Sequence, residues 1–332
     1  MTDHAITDRA ITNRAMTDRT ALPAAAAGNA RPAKARAPAR KAARRQARTA
    51  YALLAPALLL MAGLLILPLA AIFALALTDY QLGAQAIAFI GIDNFKALAV
   101  DPVFWQALGN TLLYAAMVVP GSIGLGLVAA LLIESGTSLR SFYRAALFLP
   151  VMATLIAMAI VWEFMLHPTF GLVNAMLGVF GIAPHNWLLD KATALPVLAV
   201  IGIWQQFGFA MVLFLAGLVS IPRQLYEAAA LDGVPGGWER FRLITWPLLG
   251  PVSLFILVIS ATRAFQVFDV VYALTKGGPS KSTEVMLYSI YTEGFEFFRT
   301  GYASALTIVF IVLILAVTLI KKTVLEKRVH YA

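Results

Sequence analysis

Six stretches of this sequence stay apolar for about the thickness of a lipid bilayer. They run over residues 51–77, 106–133, 142–166, 195–220, 247–269 and 301–320, each near the roughly 20 residues a helix needs to cross the hydrocarbon core. Inside lipid every backbone N–H and C=O must be bonded within its own segment, so the stretches are predicted as helices. Composition agrees: 60% of the 332 residues are hydrophobic and 13% charged, with a mean hydropathy of +0.79, outside the soluble globular range. The expected fold class is all-α integral membrane, with a tail over 1–50 and a transmembrane domain over 51–332. The first stretch carries a signal-like Ala74-Leu75-Ala76, but its apolar run is far longer than a signal peptide's, so it is expected to be retained.

The tail explains the charge. The formal net charge is +9, and residues 1–50 hold 11 Lys and Arg against 3 Asp. A basic segment beside an apolar one marks the cytoplasmic flank of a span rather than a nucleic-acid site, so no nucleic-acid partner is expected. Residues 5–19 repeat imperfectly as AITDR, AITNR, AMTDR. With so few large apolar side chains to bury, the tail is expected to be disordered. Across the loops, twenty Lys and Arg fall on the tail's side and five on the other, which places both termini in the cytoplasm.

Residues 226–251, YEAAALDGVPGGWERFRLITWPLLGP, interrupt the apolar pattern on that cytoplasmic side. Pro222 precedes a run of good helix formers from Arg223 to Leu231, and Asp232-Gly233 should end it, since glycine takes the left-handed conformation without penalty. A loop over Val234 to Gly237, a second short helix over Trp238 to Ile244, and Pro247 in the first turn of the fifth span complete the expectation. Ala228, Ala229 and Ala230 would present a smooth face, and Glu227 a charge, to a partner. A surface connector that binds nothing would look the same.

Glu-Ala-Ala, three residues, Gly, then Ile-x-x-Pro resembles the cytoplasmic "EAA" loop of ABC importer permeases. The matching positions are Glu227, Ala228, Ala229, Gly233, Ile244 and Pro247, with Asp232 beside them. Ten residues separate Gly233 from Ile244, and Trp246 stands where Leu is usual; the extra residue is expected to lengthen the loop at Gly236-Gly237. Asn110-Thr-Leu-Leu-Tyr, Phe142 to Pro150, Gly171 to Gly178, Phe268 to Phe295 and Gly301 to Thr307 resemble the carbohydrate-uptake class, which includes maltose and glycerol-3-phosphate permeases. The likeness begins near Tyr51. It implies a six-span type I importer permease of the bacterial inner membrane with a coupling helix between spans four and five. It also implies two copies of an ATP-binding subunit, a second related permease and an extracytoplasmic solute-binding protein as partners, and a sugar or glycerol-3-phosphate-like cargo.

Enzymatic chemistry is not expected. With no cysteine there is no thiolate nucleophile and no Cys-ligated metal, and neither a phosphate-binding G-x-x-x-x-G-K-[ST] loop nor a zincin or hydrolase motif occurs. ATP must be bound by another subunit, and no cofactor, metal or catalytic residue is assigned to this chain. Polar groups inside spans are costly and mark function when they face the interior. Arg263, Gln205, Gln206, Asp269 and Asn110 are therefore the candidates for the substrate path. Arg263 equally suits pairing with Asp269 or reaching the interface, and Glu163 and Asp269, near span ends, suit solvation there. Asn110 and Asn174 equally suit holding backbone. Trp162, Trp204 and Phe207 would form a sugar-stacking wall or anchor the interface. The Thr275 to Pro279 turn is expected to shape the surface facing the binding protein. Two other classes compete: an ion-coupled carrier working alone, which predicts inverted repeats and broken helices, and a membrane scaffold with no transport role.

Overall fold

The computed structural model describes residues 36–136, 138–234 and 236–325, with side chains over 46–319 apart from those gaps. Among the described residues, those through Ala62 form one unit and those from Gly63 another. In the first, helix α1 covers Arg36–Met61. Residues 1–35 of the expected tail lie outside the described residues. Helix already begins at Arg36, earlier than the expected boundary at 51, because Ala, Arg, Lys and Gln are strong helix formers even where nothing apolar is available to bury.

The second unit is helical almost throughout. A π-helical turn, Ala62–Ile66, leads into α2 (Leu67–Ala76), followed by α3 (Asp93–Val100) and the 34-residue α4 (Pro102–Ser135). Then come α5 (Arg140–Met152), α6 (Leu155–Met165), α7 (Leu172–Val179) and the 27-residue α8 (Ala194–Ser220). The connecting α9 (Arg223–Leu231), α10 (Trp238–Arg240), a π-turn at Phe241–Thr245 and α11 (Trp246–Leu248) precede α12 (Gly250–Phe265). The chain closes with α13 (Asp269–Leu274), α14 (Met286–Tyr291), a π-turn at Thr292–Glu296 and α15 (Thr300–Leu325).

Among the described residues, five helices are long and apolar enough to cross a bilayer: Gln46–Ala76, Pro102–Ser135, Ala194–Ser220, Gly250–Leu274 and Thr300–Leu319. The third expected span, 142–166, differs. It is two helices, α5 and α6, bent by 100°, and the bend makes the span count six only if the pair crosses as one. Ala153 and Thr154 take extended backbone there. Pro150, which removes one intrahelical donor and crowds the preceding turn, lies two residues before the end of α5. The fifth span is also broken: Gln266, Val267 and Phe268 part α12 from α13.

Packing centres on α4 against α8. Gly126 lets them touch, since a Cβ there would lie 2.6 Å from Ala210 Cβ and 2.9 Å from Met211 N. Gly208 does the same for α5, where a Cβ would stand 2.3 Å from Leu147 O. Small residues at such crossings replace the hydrophobic driving force that lipid cannot supply. Three buried clusters result, around Val118, Leu198 and Ile201, around Met211, Phe214 and Leu249, and around Leu98, Met286 and Leu306.

Candidate functional site

Two polar regions stand out from this apolar frame, and both gather residues singled out above. The first is α9. Its end is a full Schellman motif: Val234 N–H donates to Ala229 O at 2.9 Å and Gly233 N–H to Ala230 O at 3.3 Å, with Gly233 at φ +78°. Only the residue after the cap needs that left-handed backbone, which explains a glycine there. Tyr226 and Ala229 turn inward and are half-buried, and Tyr226 Oη lies 3.1 Å from Thr245 Oγ1. Glu227, Ala228, Ala230 and Asp232 are exposed, and Leu231 is 90% exposed. The three alanines therefore do not share one outer face, as a helix turns 100° per residue and carries Ala229 to the bundle side. Leu231 is an isolated exposed aliphatic at the helix tip that the sequence reading passed over.

The extra residue between Gly233 and Ile244 was expected in the glycine pair. The helix that follows carries the wider π-turn at Phe241–Thr245, in which the backbone ring closes one residue later than in an α-helix. Such a bulge takes in one additional residue without ending the helix. Ile244 lies in it half-buried, and Pro247 occupies the opening of α11, where its missing N–H costs nothing.

The second region is a cavity of about 380 Å³ between α4, α5, α6, α8 and the broken α12–α13 element. Gln205, Gln206, Arg263 and Asp269 all line it, joined by Gln266 and Tyr114. Arg263 ends α12, where the helix dipole favours a cation. Its guanidinium stacks 4.3 Å from the centre of the Phe209 ring. It forms no ion pair among the described residues, with Asp269 or any other carboxylate. Gln206 Oε1 is buried without a hydrogen-bond partner among the described residues. Unmatched polar groups in so apolar a setting are expensive unless a ligand meets them. Gln266, which caps the C-terminal end of α12 three residues after Arg263, was missed by the sequence reading.

Asn110 is not brought to this cavity. Its Nδ2 donates to Lys281 O at 3.2 Å and Glu284 O at 2.8 Å, which uses both amide hydrogens. It joins an outer clasp in which Glu284, 1% exposed, accepts from Ser289 Oγ at 2.8 Å and Lys281 Nζ at 3.1 Å. Thr283 Oγ1 reaches Gly278 O at 2.7 Å, which holds the Thr275 to Pro279 turn. Asn174 is also structural: the two hydrogens of its Nδ2 are shared among three carbonyls within 3.2 Å, and its Oδ1 accepts from Trp187 Nε1 at 2.8 Å. Glu163 is exposed near the end of α6.

Trp162 and Trp204 meet edge to face at 5.4 Å outside the cavity lining, and Phe207 lines an apolar groove instead. The aromatics that do line the cavity are Tyr114 and Phe268, the latter stacked on Tyr272 at 5.4 Å and meeting Tyr291 edge-on at 5.4 Å. The wall continues to Tyr288, whose hydroxyl burial, with Glu296 and Glu284 nearby, pushes up to about 12, so it stays neutral at physiological pH.

Comparison with known proteins fits this geometry. Residues 122–331 match the family described as binding-protein-dependent transport system inner membrane component. The sn-glycerol-3-phosphate transport system permease protein UgpA of Agrobacterium fabrum is 33% identical over 244 residues, 73% of this chain and 83% of that protein. The sulfoquinovosyl glycerol transport system permease protein SmoG of the same organism is 34% identical over 77% of this chain and 82% of its own. Among solved structures, a bacterial ABC transporter that imports the acidic polysaccharide alginate aligns with a TM-score of 0.75. It is 25% identical and covers 85% of this chain and 96% of that one. The alginate transporter in complex with its pentasaccharide-bound periplasmic protein aligns at 0.73, with 26% identity, over 83% and 93%.

Proposed function

The chain belongs to the family of binding-protein-dependent transport system inner membrane components, and from that premise we propose that it carries a sugar or glycerol-3-phosphate-like solute with an acidic group. It is the non-enzymatic, multi-pass permease component of an importer whose ATP is hydrolysed by a separate subunit. The observation that carries the cargo reading is Arg263, a guanidinium facing a cavity with no carboxylate paired to it, beside Gln205, Gln206 and Gln266. A guanidinium binds phosphate, sulfonate or carboxylate through two parallel hydrogen bonds, amides suit hydroxyls, and Phe268 offers a ring to a sugar face. The cavity's 380 Å³ is at the small end for ligand sites. Support comes from the relatives, whose names specify glycerol-3-phosphate, sulfoquinovosyl glycerol and an acidic polysaccharide.

In this reading α9 is the coupling element. One of two ATP-binding subunits receives Glu227, Ala228 and Leu231 in its cleft, a second related permease completes the path, and a solute-binding protein delivers cargo from outside. Both termini face the cytoplasm, as the Lys and Arg bias supports. Closure of the ATPases on ATP moves α9 as a lever and turns the bundle from inward-open to outward-open. The breaks at α5–α6 and α12–α13 would also suit an ion-coupled carrier; family membership favours the importer.

The test is ATP hydrolysis by the purified complex in lipid, across neutral sugars, polyols and glycerol-3-phosphate, each with its binding protein. Stimulation by an acidic ligand is expected, and equal stimulation by neutral sugars would remove the role given to Arg263. Solute movement by this chain alone down an ion gradient would overturn the coupling role. For docking, a cysteine at exposed Ala228 should crosslink to the ATPase cleft faster than one at half-buried Ala229.

A further inference from the structure

We propose that the chain holds an anionic phospholipid behind α9, with its headgroup among Arg140, Arg144, Arg223 and Arg240 and its acyl chains along α4. These four guanidinium groups and the single carboxylate of Glu134 line one cavity of about 450 Å³. The proposal rests on membership in a membrane family and not on the cargo or coupling readings.

The charges are not spent on one another. Arg140 caps the end of α4, with Nη2 donating to Glu134 O at 2.6 Å and Nε to Gly136 O, and it pairs loosely with Glu134 at 3.8 Å. Arg240 stacks on the Tyr226 ring at 5.9 Å. Arg144 Nε and Glu134 Oε2 are buried without hydrogen-bond partners among the described residues. An excess of positive charge with an unmet donor calls for a phosphate, and an unmet carboxylate oxygen beside it calls for a hydroxyl. A glycerol headgroup on a phosphodiester offers both.

Two apolar grooves open from this cavity. One, about 1020 Å³, shares Glu134, Leu218, Tyr226 and Arg240 with it, and the other, about 420 Å³, shares Arg140. Both run along Val128 and Leu132 on α4. Trp238, 74% exposed, and Trp246 stand on the rim, the level at which tryptophan settles between headgroups and chains. A basic pocket with two adjoining apolar grooves matches a headgroup with two tails. Because Arg223 and Tyr226 belong to α9, the lipid would tie the orientation of that helix to the leaflet beside it.

The experiment is native mass spectrometry of the assembled transporter released from nanodiscs of phosphatidylcholine with or without phosphatidylglycerol. The wild-type chain should retain phosphatidylglycerol in preference to phosphatidylcholine, and the double variant Arg144→Gln/Arg240→Gln should lower that retention about tenfold, which is about 1.4 kcal/mol. Lys96→Gln, on α3, should leave it unchanged. If the double variant does not assemble, Trp238→Ala on the exposed rim should show the same loss. Equal retention of both lipids, or unchanged retention in the variants, overturns the proposal. Displacement of phosphatidylglycerol by inorganic phosphate would reduce the site to a free-phosphate pocket, and a crosslink from Leu132→Cys to another subunit would give the groove to that subunit; either result also overturns it.

Discussion

The outer clasp and the inner cavity are both built of polar side chains, yet the carboxylate and amide of the first are matched and the guanidinium and amide of the second are not. Among the described residues Ser282 Oγ is the clasp's unmet group. Around Glu284 the other donors and acceptors named above find partners within the chain: Asn110 on two carbonyls, Thr283 on Gly278 O, Ser289 and Lys281 on the carboxylate. Around Arg263 they do not: among the described residues the guanidinium has only the Phe209 ring, and Gln206 Oε1 has no partner. Polar groups that hold a fold are matched inside it, because an unmet one costs about 1–3 kcal/mol. Groups left open at that cost need a solute to meet them. The difference sorts residue types that look equivalent in the sequence, and each substitution below either sharpens that sorting or breaks it.

The largest effect should come from the clasp. Glu284→Ala strips Ser289 and Lys281 of their acceptor and leaves a void at a position 1% exposed, so it should lower stability by about 3 kcal/mol, read by thermal unfolding in detergent. Cargo-stimulated hydrolysis per folded complex should stay near wild type. A normal melting curve would mean that the clasp is not what holds the turn.

Arg263→Ala should do the reverse. With no carboxylate partner to strand, the change leaves melting nearly unmoved. It should weaken the cargo concentration dependence of ATP hydrolysis on the order of tenfold to a hundredfold, or about 1.4–2.8 kcal/mol. A drop in melting temperature with unaltered cargo response would make Arg263 a packing residue on Phe209 and erase the contrast.

How much of this was legible in the sequence depends on how local each feature is. Helix α9 was readable to the residue, from Arg223 to Leu231, because Pro222 and Gly233 bracket it and both act within one turn of backbone. The direction of Ala229 was not, since it depends on what Tyr226 packs against. The bend at Ala153–Thr154 escaped because Pro150 alone is compatible with a kinked, continuous span; packing against α8 at Gly208 and Leu147 decides otherwise. Arg263, Gln205, Gln206 and Asp269 were chosen one by one for their cost in lipid, and their meeting at one cavity required the tertiary fold. The same cost singled out Asn110, whose partners lie 171 and 174 residues away, beyond what spacing can reveal.

Asn110 therefore tests the sorting directly. Asn110→Ala should cost about 1.5 kcal/mol of stability, half the Glu284 effect, because two backbone carbonyls lose their donor in a half-buried place. The cargo response should not change. A shifted cargo dependence at wild-type stability would return Asn110 to the substrate path.

The smallest effect is the most discriminating. Gln205 lines the cavity, and an amide meeting one solute hydroxyl is worth about 1 kcal/mol. Gln205→Ala should therefore shift the half-saturating cargo concentration about fivefold. Melting should stay put without cargo, because no hydrogen bond inside the fold is lost. Saturating cargo should separate the two chains, since a ligand at free concentration L that binds only the folded state raises its stability by RT ln(1 + L/Kd), which a weaker Kd lowers at the same concentration. Were Gln205→Ala to melt lower with cargo absent, the amide would be holding α8 in place, and the cavity would be as saturated as the clasp.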